Sequence, residues 1–127
     1  MVDRRRRTGD GGRTMDDGEK LMSPSYTFFE DLLSQVPDIP SDSILSRTIY
    51  QDDRLKAVLF GFAEGQELSE HTASQPALLY FVQGEARLTL GGDEKHVKPG
   101  AWVYMAPQLA HSVRAETPVV VLLVLIR

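Results

Sequence analysis

The sequence predicts an all-β domain with one short N-terminal helix and a disordered leader, and three observations carry that expectation. From Ile44 onward, short apolar or alternating runs follow one another at close spacing, turn residues separate them, and no segment between them has the length and 3.6-residue period of a helix. Such a pattern favours an antiparallel sandwich or barrel over any βαβ arrangement. A chain of 127 residues with 42% hydrophobic content supports one domain with a core of its own, expected over residues 24–127.

Residues 1–23 read differently. Arg4, Arg5, Arg6, Arg7, Arg13 and Lys20 stand against Asp3, Asp10, Asp16, Asp17 and Glu19, with glycines between them, a composition rich in Gly, Asp and Arg that is expected of a solvated leader. The four arginines do not read as an export signal, because a polar stretch follows where an apolar h-region is required. They do not read as a nucleic-acid arm either, since acids dilute them and the net charge is −4. No apolar run is long enough for a helix to span a bilayer, so neither membrane nor nucleic acid is an expected partner, and the expected location is the cytoplasm. There is no cysteine, which excludes disulfides, thiolate catalysis and thiolate metal sites.

Next, "YTFFEDLLSQV" places Phe28, Phe29, Leu32, Leu33 and Val36 at helical spacing, and Thr27 with Glu30 three residues later fits a capping box, so one short helix is expected there. "PDIPSD" stops it. The strand candidates follow as "ILSRTIY", "LKAVLFGFA", "ELSEH", "ALLYFVQG", "EARLTL", "KHVKPG", "AWVYMA", "HSVRAE" and "VVVLLVLI". Gly91-Gly92 is a hairpin turn and Pro99-Gly100 a tight bend. The last run, Val119 to Ile126, is an unbroken apolar stretch of strand length and belongs inside a sheet, buried on both faces.

The order of residues resembles the cupin superfamily, RmlC-like jelly-roll β-barrels with two motifs flanking a central hairpin. The first motif reads roughly G-x5-H-x-H-x3-E-x6-G. Gly65, His71 and Gly84 fall in register, with Ala73 at the second histidine place and Ala77 at the glutamate place. In the second, roughly G-x5-P-x-G-x2-H-x3-N, Gly100 and His111 fall in register. Ala106 takes the proline place with Pro107 one residue late, Gln108 the glycine place and Ala115 the asparagine place. The resemblance implies a cupin-type jelly-roll barrel with degenerate metal-binding motifs. In that family three histidines and a glutamate hold a divalent ion, commonly iron, manganese, nickel, zinc or copper. Here two of those places are alanine, which donates no lone pair.

The expected cofactor is therefore none, or a weakly held divalent metal (Zn, Fe, Mn, Ni or Cu) on His71 and His111, its shell completed by water or by an oxygen of Gln75, Glu67 or Glu70. Leu79 and Phe81 share parity with His71 and are expected to line the barrel with it, together with His111 and Gln75; Tyr80 and Val82 face outward. Parity alone leaves open whether Trp102 and Tyr104 or Val103 and Met105 face inward. Glu67 has the parity to pair with His71 as a general base, and His96, near a hairpin turn, reads as a surface residue. Three functions follow: a small-molecule-binding cupin with its pocket at His71 and His111, a metal-dependent enzyme of the dioxygenase or isomerase type on the same histidines, or a regulatory or structural module. A small-molecule ligand and a second copy of the chain, as a homodimer, are the expected partners.

Overall fold

A computed structural model describes residues 25–127; the expected leader, residues 1–23, lies outside the described residues. Nine strands follow a single 3₁₀ turn: β1 Ile44–Gln51, β2 Leu55–Phe62, β3 Glu67–His71, β4 Ala77–Gln83, β5 Ala86–Leu90, β6 Asp93–Val97, β7 Trp102–Met105, β8 His111–Ala115 and β9 Val119–Ile126. Every strand expected from the alternation is present. They form two antiparallel sheets, one of five strands in the order β1-β2-β9-β4-β7 and one of four in the order β3-β8-β5-β6. The two inner faces enclose the core, with Phe62, Phe81, Leu88 and Val119 its largest fully buried side chains, while Leu59 is buried on the outer face of β2 beside Val36, Pro37 and Leu45. Burying each such side chain contributes roughly 1.5–3 kcal/mol.

The expected helix shrinks to Leu32–Gln35. Its cap is Asp31, whose carboxylate accepts from the Leu33 amide at 3.1 Å, so Thr27 and Glu30 form no capping box. Phe28 is 73% exposed: the helical spacing of apolar residues found no surface to bury a helical face against. Instead the segment beyond it lies flat on the outer face of the larger sheet. Ile39 and Val36 cover Gly61, where a Cβ would come within 2.9 Å of Ile39 Cδ1.

β9 sits between β2 and β4, with Val119, Val120 and Val121 buried, whereas Leu122 to Ile126 are only half-buried. Burial on both faces thus holds for the first part of the strand. In β7 it is Val103 and Met105 that turn inward, while Trp102 and Tyr104 are exposed. The β5–β6 hairpin closes on Gly91 with φ 62, and Ala101 N donates to Lys98 O across Pro99-Gly100, where Gly100 has φ 97. At the foot of the β1–β2 hairpin, Asp52 accepts from the amides of Arg54 and Leu55 and from the Tyr50 hydroxyl. The Tyr50 hydrogen bond, aided by those amides, holds its carboxyl below the usual carboxylate range.

The two sheets are joined where the chain leaves β4 for β5, at Gly84-Glu85, and where it leaves β8 for β9, at Glu116 to Pro118. These corners touch. Glu85 O accepts from the Glu116 amide at 2.9 Å, and Glu85 N donates to Thr117 Oγ1 at 3.0 Å. Gly84 has φ 86, and a Cβ there would meet Pro118 O at 2.0 Å. Gly84→Ala therefore combines left-handed strain with a backbone clash. It is expected to destabilise by about 3 kcal/mol or more, read from the urea midpoint; an unchanged midpoint would show that the corner relaxes freely.

Candidate functional site

β3 and β8 lie side by side, and their ladder carries one extra residue. Leu68 is opposite Val113 and His71 is opposite His111, so three steps along β3 match two along β8. This β-bulge reverses the alternation within β3. Leu68 and His71, of opposite parity, consequently both face the barrel interior, while Glu67 lies opposite Arg114 with its carboxylate 3.8 Å from the guanidinium. The Glu67–His71 pairing that parity would have allowed does not form for that reason, since parity counting assumes an unbroken strand. Glu70 is exposed.

The two imidazoles meet with ring centroids 4.2 Å apart and planes inclined at 58°. His111 is buried, and His71 stands exposed at the mouth. Each ring binds a carbonyl two residues earlier on its own strand side: His71 Nδ1 lies 2.8 Å from Ser69 O and His111 Nδ1 2.9 Å from Leu109 O. A carbonyl only accepts, so each Nδ1 carries the proton, and in the neutral ring Nε2 keeps its lone pair. Both rings are thereby set in the same tautomer, with Nε2 the atom left for a ligand.

They border a cavity of 90 Å³ lined also by Phe60, Phe62, Leu68, Leu79, Met105, Val113, Val121 and Leu123. Leu79 lines it; Phe81 is fully buried in the adjoining core but is not among the lining residues, and Gln75 lies in the β3–β4 connection away from it. Ala77 is buried in β4 opposite Met105, and Ala73 lies in the loop, where its carbonyl accepts from the Gln108 amide at 2.7 Å. A hollow of 560 Å³ exists elsewhere, between Tyr26 and Tyr50, but it is an open surface groove where the Tyr50 hydroxyl is already committed to Asp52. A metal in the barrel would find two imidazole nitrogens. A structural zinc site uses four protein ligands and a catalytic one three. The residues present do not complete either.

Gln108 shapes the rim beside His111. The turn Ala106-Pro107-Gln108-Leu109, closed by Leu109 N donating to Ala106 O at 3.3 Å, holds Gln108 at φ 69. This is the place at which the motif carries glycine, the residue for which a left-handed conformation is unstrained.

His96 is exposed, as expected, on the outer face of the smaller sheet, and its Nε2 lies 3.1 Å from Glu85 Oε1 and 3.0 Å from Glu116 Oε1. Arg87 on the same face bonds Glu94 and Glu116. This cluster gave no sequence signal, because its members come from distant parts of the chain: the β4–β5 corner, β5, β6 and the β8–β9 corner.

With this geometry established, comparison with known proteins places the chain. Residues 58–125 match the cupin domain family, and the chain belongs to it. No curated protein is similar enough to count as a relative. Among solved structures, a cupin superfamily protein from Desulfitobacterium hafniense is 24% identical, with a TM-score of 0.71 over 75% of this chain and 86% of its own. A conserved protein of unknown function from Streptococcus pyogenes is 26% identical, with a TM-score of 0.70 over 84% of this chain and 90% of its own. An RmlC-like cupin from Shewanella frigidimarina is 19% identical, with a TM-score of 0.67 over 82% and 91%.

Gln108→Gly tests the rim. Relief of left-handed strain contributes about 1–2 kcal/mol, and the added backbone freedom of glycine in the unfolded chain costs about 0.5–1 kcal/mol. A net gain near 0.5–1 kcal/mol is expected in urea unfolding; a loss would show that the Gln108 side chain makes a stabilising contact.

Proposed function

We propose that this cupin binds a small, largely apolar molecule in the barrel, held through a hydrogen-bond donor by Nε2 of His71 and His111. The supporting observation is the cavity itself: its wall is hydrocarbon and thioether except for two imidazoles whose tautomers leave acceptors. Such a pocket selects a hydroxyl or N–H group on an apolar body. At 90 Å³ it is smaller than the roughly 150 Å³ that accommodates a benzene ring, so a larger ligand extends through the mouth beside His71. Leu79 would form part of the wall, and Gln75 would reach only the part of a ligand lying outside.

A second reading, a metal-dependent enzyme of the dioxygenase or isomerase type, draws support from the same tautomer setting, because Nε2 is also the atom that coordinates a metal. It requires water or substrate to supply the remaining ligands. Elemental analysis and ligand titration separate the two. Under the binding reading, the metal content of the purified protein is the same with and without His71→Ala and His111→Ala, and straight-chain alcohols from ethanol to hexanol shift the ring resonances of His71 and His111. His111→Leu abolishes those shifts. Stoichiometric metal, lost in the His71→Ala, His111→Ala variant, would instead support the enzyme reading, and an absence of both metal and ring shifts would favour a structural module.

We further propose that the chain pairs with a second copy through the outer face of β4 and β7. Tyr80 lies opposite Trp102, with Tyr104 and Val82 beside them, and Trp102 is 61% exposed. Aromatic side chains in such a cluster are favoured at interfaces. Light scattering is expected to give about twice the chain mass of 14.2 kDa, reverting to that mass in Trp102→Glu; a single-chain mass for the unaltered protein would refute the pairing.

A further inference from the structure

We propose that Glu85, His96 and Glu116 form a binding site for one zinc ion on the outer face of the four-stranded sheet, on the opposite side of that sheet from the barrel cavity. His96 Nε2, Glu85 Oε1 and Glu116 Oε1 are the donor atoms. All three ligand atoms lie within 4.8 Å of one another, and the imidazole nitrogen is 3.1 and 3.0 Å from the two oxygens. A zinc ion held at about 2.0–2.2 Å by each donor separates neighbouring donors by about 3.0–3.5 Å. The spacing already present fits that requirement through small side-chain adjustments, with the backbone unmoved.

The backbone positions are fixed by the sheet. His96 lies directly across from Arg87 in the β5–β6 ladder, and Glu85 and Glu116 are tied at the touching corners by the 2.9 Å hydrogen bond from Glu116 N to Glu85 O. Arg87 Nε donates to Glu116 Oε2 at 2.8 Å, which turns the other oxygen of that carboxylate toward His96. Arg87 is a positioning residue in this arrangement: it occupies one oxygen of the Glu116 carboxylate and leaves the other to face the imidazole.

Charge points the same way. Glu94 and Glu116 share the Arg87 guanidinium, while Glu85 and Glu116 converge on the single Nε2 of His96, so these three carboxylates are matched by one guanidinium charge. A divalent cation supplies both missing charges at the point where the carboxylates converge. An imidazole beside two carboxylates suits zinc better than magnesium or calcium, which prefer oxygen alone. Side-chain exposures of 46%, 45% and 33% for His96, Glu85 and Glu116 leave room for water as a further ligand.

The site is tested by titrating zinc chloride into the full chain carrying His71→Ala and His111→Ala, so that the barrel histidines cannot contribute. One zinc per chain is expected, with affinity falling tenfold or more when His96→Ala or Glu116→Gln is added, and with no competition from magnesium chloride. If the double variant does not fold, the unaltered protein serves: zinc is expected to shift the ring nitrogen resonances of His96 independently of those of His71 and His111. Zinc binding that is indifferent to His96 and Glu116, or an unshifted His96 ring, would reduce the cluster to an ion-pair network only and overturn the proposal.

Discussion

The extra residue in β3 is the constraint on which the site depends. Without it, Leu68 and His71 could not both point into the barrel, because alternate residues of a regular strand face opposite ways. With it, His71 is set directly against His111, and the polar residues between Leu68 and His71 absorb the irregularity at the sheet edge. β3 is an edge strand of the smaller sheet, where a bulge disturbs one ladder only. The same bulge assigns Glu67 to Arg114 on the outside, so one local irregularity sorts a carboxylate away from the cavity and an imidazole into it.

The interior is a barrel whose wall is hydrocarbon and thioether except at two imidazoles. Ala77 is packed against Met105 and Leu125, and hydrocarbon occupies the surroundings where the cupin motif carries a carboxylate. What remains polar is a pair of rings, each anchored through Nδ1 to a carbonyl of its own segment. That anchoring does not depend on a bound partner, since Ser69 O and Leu109 O belong to the scaffold. At Gln108 the backbone holds a left-handed conformation for which glycine is the unstrained residue.

The strand pattern was legible because alternation and turn chemistry are local signals, and all nine runs became strands. The N-terminal segment was misjudged because Phe28, Phe29, Leu32 and Leu33 have helical spacing without a facing surface to reward a full helix; the chain lies against the sheet instead, with Ile39 over Gly61. His71 and His111 were identified by motif register, and their meeting follows from strand pairing. The orientation of Glu67 was not legible, because a bulge leaves the sequence looking like an unbroken strand. Phe81 was assigned to the pocket wall on parity that holds within β4, but it lies farther along the strand, in solid core. Glu85, His96 and Glu116 are brought together by the β5–β6 ladder and by the two touching corners. No spacing along the chain announces them.

The position of β9 has a consequence for how the molecule comes into being. As the ribosome delivers the chain, β2 and β4 emerge well before the strand that must lie between them, so each exposes an unpaired apolar edge through most of synthesis. The five-stranded layer is completed only by insertion of a late segment into a waiting slot. A nascent chain stalled before Val119 would hold β1-β2 and β4-β7 as two strand pairs without the strand that joins them into one sheet.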